Sequence, residues 1–258
     1  MHPPSATAFD VFSGIASALV YLAVGLGAFV YRPRDGRTCV FLVVALASVT
    51  PYVLPAALGR LGNGRLLSAA TVATAVSLAV GSAALFHFTQ VFPSRRPWIR
   101  AHGPWLFAAY AALPLAAAAG AWALLPIFRM MSDVATAASA GAASGMEPLG
   151  WLVLLFVLLP TVFVAGIVLP FGGLLSLYRS WQEAKTNGRD AARATTLAIL
   201  ISQLAGGVLT ILVVPLLQLV APAGPWATIA SGLLFGFGLL MPLAFAMGVW
   251  RYGLVSSE

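Results

Sequence analysis

Three side chains in this sequence lie where their chemistry is out of the ordinary: His87, Gln90 and Gln203 each fall inside an apolar run. An imidazole can carry a proton or ligate a metal, and a carboxamide can hold a buried ligand through its donors and acceptor. His87 and Gln90 are three residues apart, so on a helix they share a face. Two readings of the pair stand. It is either an interfacial anchor, with the imidazole reaching the headgroup layer amid Phe86, Phe88 and Phe92, or an interhelical clasp. Gln203 needs a hydrogen-bond partner at its depth, as a ligand contact or as internal glue. Machinery for bond-making does not accompany them, because no Asp, Glu, Lys or Arg falls within an apolar run short of its ends, Arg179 being the last residue of the fifth. Ser77, Ser82 and Ser202 are the other deep polar groups. Lys185, the one lysine, lies in a polar gap, and Cys39 is the only cysteine. A Schiff base within a span, an internal disulfide and a Cys/His metal cluster are thereby excluded. The expectation is a protein with no catalytic residues, no cofactor and no metal.

The elements that position these residues are long and apolar. Of 258 residues, 60% are hydrophobic and 8% charged, whereas soluble domains carry about 25% charged residues. The composition is that of an integral membrane protein. Seven runs, at about 11–31, 38–58, 66–92, 104–127, 149–179, 195–221 and 226–250, each reach the roughly 20 residues a membrane helix needs. The predicted fold class is all-α: one polytopic transmembrane domain over 1–258, a bundle of seven helices. MHPPSATAFD lacks the basic n-region of a secretory signal, so the first helix is expected to be retained.

Direction follows from charge. With the N-terminus outside, eleven of the fourteen basic residues fall in inner segments and three in outer ones. Cytoplasmic loops collect Lys and Arg, so the reading is N-out, C-in, in a membrane that is expected to be the bacterial cytoplasmic (inner) one. The net charge of +7 reports topology, not nucleic-acid binding, since the cations sit in short gaps between spans. Arg95, Arg96 and Arg100 after the third span, with Arg179, Lys185, Arg189 and Arg193 between the fifth and sixth, form the candidate partner surface.

Prolines recur inside the runs, at Pro51, Pro55, Pro114, Pro160, Pro170, Pro215 and Pro242. Each removes a backbone donor and frees the carbonyl four residues earlier, which lipid cannot satisfy. These sites should therefore face helices or enclosed water. Gly232 and Gly236 form a GxxxG in the last run, read as close packing or a dimer face. The outer gap 128–148 reads as a connector or a lid, and WQEAKTNGRDAARA as a helical extension that ends at the Asn187-Gly188 turn.

At the end of the third run the sequence FHFTQVFP, followed by a basic turn, resembles the membrane modules found N-terminal to bacterial histidine kinases and related signalling proteins. A long fifth helix, the basic segment from Arg179 to Arg193, and Val249-Trp250-Arg251-Tyr252-Gly253-Leu254 after the last run are similar to further elements of those modules. The resemblance implies sensing. No kinase, cyclase or phosphatase domain follows before Glu258, so the expectation is either a trimmed output domain or a stand-alone relative that acts on another membrane protein. The function expected is a non-catalytic sensor that relays a signal to a cytoplasmic or membrane partner. An accessory subunit of a larger membrane complex is the alternative. A small-solute transporter ranks below both, since Pro-Gln pairs and an internal repeat are missing. Membrane lipids and another membrane or signalling protein are the partners implied.

Overall fold

The computed structural model describes residues 8–59, 64–93, 103–137, 160–161, 164–209, 216 and 225–250. Among them every regular element is helical. The helices are α1 (Ala8–Tyr31), α2 (Gly36–Gly59), α3 (Gly64–Val91), α4 (Gly103–Ala137), α5 (Leu169–Thr186), α6 (Asp190–Val208) and α7 (Pro225–Trp250). Four of them are long and apolar enough to cross a membrane, with windows Gly14–Tyr31, Ala69–Val91, Gly103–Trp122 and Asp190–Val208. Arg95, Arg96, Arg100, Arg251 and Gln218 to Pro222 lie outside the described residues, as does the segment 138–148.

Helix ends depart from the hydropathy boundaries for one reason. Hydropathy marks where chain meets hydrocarbon, whereas a helix stops where its backbone hydrogen bonds stop. α4 therefore runs on to Ala137, through the first half of the expected outer connector, and α6 starts at Asp190 instead of 195. A π-helical turn, Val164–Val168, precedes α5. Pro170 lacks the N–H that Gly166 would use as its α-helical partner, and its ring crowds that carbonyl, which is a setting in which wider i→i+5 bonding is adopted.

α5 closes as the sequence suggests. Gly188 takes φ of +63°, the Arg189 amide donates to the Ala184 carbonyl at 2.9 Å and the Gly188 amide to that of Lys185 at 3.5 Å. This is the Schellman arrangement, which favours glycine at the left-handed position. Asp190 then opens α6 at the positive end of its dipole.

Contacts fix relative directions. Tyr21 meets Gly238 and Gly27 meets Trp250, so α1 and α7 run parallel. Phe86 meets Gly172 and Thr89 meets Gly173, so α3 and α5 do too. α2 opposes α3, with Phe41 on Phe88 and Ala47 on Ser77. The C-terminal ends of α1, α3, α5 and α7 thus share one end of the bundle, and every basic residue described in a turn between helices lies there. That end is sealed by buried aromatic rings: Phe41 stacks on Phe245 at 4.1 Å between centroids and Phe88 on Phe92 at 5.1 Å, while Phe245 meets Phe88 edge-on at 5.3 Å.

The outer surface is apolar. On α4 the exposed positions Trp105, Ala108, Ala112, Leu115, Ala119 and Trp122 form one stripe, with an indole 73% and 69% exposed at its two ends. The two rings are separated by about 25 Å along the axis, close to the thickness of a hydrocarbon core, and indoles favour its two boundaries.

Candidate functional site

Prolines explain where the polar contacts fall. Pro93 has no N–H to give the Thr89 carbonyl, and that carbonyl accepts from the Ser176 hydroxyl of α5 at 3.0 Å. Pro242 leaves the Gly238 carbonyl without its helical donor, and the Tyr21 hydroxyl of α1 donates there at 3.1 Å. Pro51 frees the Ala47 carbonyl of α2, and Ser77 of α3 donates to it at 3.0 Å. Three freed carbonyls are each met by a hydroxyl from a neighbouring helix. An unsatisfied carbonyl in an apolar interior costs several kcal/mol, so these clasps also specify which helices pair. Ser202 adds a fourth bond, to the part of α7 just before Pro242, donating to the Phe237 carbonyl at 2.6 Å.

The seam between α3 and α5 gathers four of the nine buried polar residues among those described. Thr89, Gln90, Ser176 and Ser180 are all nearly inaccessible. The Ser176 hydroxyl also lies 3.1 Å from Gln90 Oε1, the Gln90 amide is 3.4 Å from Thr89 Oγ1, and Thr89 Oγ1 donates to the Phe86 carbonyl at 2.7 Å. Gly173 makes this approach close: a Cβ there would sit 3.3 Å from Thr89 Oγ1. Such a cluster can hold or release a helix, but it contains no base or nucleophile paired for proton transfer.

His87 and Gln90 share a helix yet face different neighbours. His87 Nδ1 lies 3.3 Å from the Tyr110 hydroxyl of α4, with the rings edge to face at 5.9 Å, while Gln90 faces α5. Phe88 and Phe92 do not surround the imidazole at an interface; both are fully buried in the aromatic core. Gln203 stands apart from both, its amide 2.9 Å from Met241 Sδ on α7. Among the described residues no three of His, Cys, Asp and Glu come together in a way that could hold a metal ion.

A second anchor closes the same end. Arg37 Nη1 donates to the Pro93 carbonyl at 2.8 Å, while its Nε and Nη2 both bond Asp35 at 3.1 Å. The Asp35 carboxylate in turn accepts the Arg37 amide at 2.8 Å, as an N-cap does. In the sequence Arg37 is one of the eleven inner cations, with nothing to set it apart. Of the expected partner surface, Arg179, Lys185, Arg189 and Arg193 lie around the α5–α6 turn, with Arg179, Lys185 and Arg189 exposed. Nothing in the sequence singles out Tyr110 as the partner of His87, whereas the prolines mark the carbonyls that Ser176 and Tyr21 serve.

Comparison with protein-family models, curated proteins and solved structures finds no match.

Proposed function

We propose that this protein is a non-catalytic sensor of seven spans, N-terminus outside and C-terminus in the cytosol, resident in a bacterial inner membrane. Its α5 and α7 carry a change of helix packing to the basic inner end, where a membrane or signalling partner reads it. One observation carries this reading. α5 and α7, two of the helices that lead into basic residues, both rest on the FHFTQVFP corner of α3, through Ser176 on Thr89 and Gln90 and through Phe245 on Phe88 and Phe92. Hydrogen bonds of this sort contribute roughly 0.6 to 1.7 kcal/mol in membranes, enough to bias two packings without locking either. The π-turn above α5 supplies a place to absorb the movement. The grouping of the described basic turns at one end agrees with the orientation, and the resemblance of the corner to sensor modules points the same way.

Spin labels at Arg34→Cys and Arg189→Cys in a Cys39→Ser background, in lipid nanodiscs, test it. The wild-type helices should give two distances, and Ser176→Ala should shift their ratio by roughly three- to twentyfold. A single distance that the variant leaves unmoved, with a second protein co-purifying at fixed stoichiometry, is the outcome that would identify an accessory subunit instead.

A further inference from the structure

We infer that the α5–α6 corner holds the headgroup of an anionic phospholipid between Lys185 and Arg193, across the ring of Trp181. On α5 the exposed residues Phe171, Leu175 and Tyr178 follow one face at i, i+4 and i+7, and the same face continues to Gln182 and Lys185. On α6 the exposed Leu197, Ile201, Leu204 and Val208 form a stripe that leads back to Arg193 and Arg189. Two apolar tracks for acyl chains therefore end at one indole. Lys185 Nζ lies 5.7 Å from that ring's centroid and Arg193 Cζ 5.9 Å from it. The two cations thus converge on the same ring, and neither has a carboxylate within ion-pair distance among the described residues. Two cations at one corner without a carboxylate partner lower the Coulomb energy of an anion placed there.

The ring itself is fixed, packed 5.9 Å from Tyr178, whose hydroxyl accepts from Gln182 at 2.7 Å. The height is also right. With Thr89 beside Gly173 and Ser176, Trp181 stands about level with Pro93, where α3 leaves the apolar layer, and α5 runs on for roughly 7 to 8 Å. An indole at the boundary with cations just beyond it is how a headgroup phosphate is met while its chains stay in hydrocarbon. Free phosphate would use the cations but leave both tracks unused, so the site is assigned to lipid.

Native mass spectrometry of the full chain, exchanged from detergent into mixed phosphatidylglycerol and phosphatidylcholine, tests the assignment independently of signalling. Wild type should retain phosphatidylglycerol over phosphatidylcholine by about fivefold or more, the scale of one basic residue at a membrane surface. Lys185→Gln/Arg193→Gln should fall towards parity, the single Lys185→Gln should lie between, and Arg34→Gln, at another basic turn, should keep the preference. Parity in the wild type, an undiminished preference in the double variant, or displacement of the lipid by 50 mM inorganic phosphate would each overturn it.

Discussion

Arg37 is the side chain whose loss should be felt most at the basic end of the bundle. It ties the α1–α2 turn to the Pro93 corner just past α3 by bonding Asp35 and the Pro93 carbonyl together, and both members of the ion pair are largely shielded from water. Arg37→Gln leaves the carboxylate and the carbonyl underbonded. A loss of about 1 to 3 kcal/mol is expected, read as a lowered Tm in detergent, and Arg37→Lys should recover little of it because a lysine lacks the planar fork. His87 invites a double-mutant cycle with Tyr110. If the 3.3 Å contact is a working clasp, His87→Phe and Tyr110→Phe should couple by about 0.6 kcal/mol. Additive losses would return His87 to the role of an interfacial anchor. The spacing put the imidazole and Gln90 close together on one helix, but in the fold they turn to different neighbours, which the spacing could not show because Tyr110 and Ser176 are 23 and 86 residues away in sequence.

Helix pairing depends on small residues and on freed carbonyls. A Cβ added at Gly25 would lie 2.9 Å from the Ala45 Cβ and 3.5 Å from the Leu42 Cα, atoms that no rotamer can move. Gly25→Ala should therefore cost about 1 to 3 kcal/mol through overpacking, despite its better helix propensity. At Gly206 nothing stands within 4 Å of the added carbon, and Gly206→Ala should be neutral or stabilising by up to about 1 kcal/mol. Thermal melts of the two variants, side by side, separate packing from propensity. The proline clasps make a sharper test. Tyr21→Phe removes the donor that serves the Gly238 carbonyl, whereas Pro242→Ala restores an amide there, so the cost of Tyr21→Phe should shrink in the Pro242→Ala background. An equal cost in both backgrounds would show that the carbonyl was never in want. The sequence marked the carbonyls through the prolines; the hydroxyls that answer them became visible only when the helices were side by side.

For the molecule as a whole, the threading direction is open to direct measurement. In a Cys39→Ser background, Ser5→Cys should react with a membrane-impermeant maleimide on intact cells, while Arg34→Cys and Lys185→Cys should react only after permeabilisation. The reverse pattern would invert the proposed orientation. Composition and hydropathy alone determine that the chain is apolar and helical, since hydrocarbon leaves a chain built of long apolar runs few ways other than helices to satisfy its backbone. They also place the cations in the turns, because charge is costly at depth. Tertiary structure decided the rest. Phe88 and Phe92, which the sequence offers as ready partners for a headgroup layer, instead close a core with Phe41 and Phe245, and Ser176 instead of His87 grips the proline corner. Hydrophobicity is scalar and has no direction around a helix that is apolar on every side. Only contact between helices, through the fixed reach of hydroxyls and the gaps left at glycine, chooses which face turns inward.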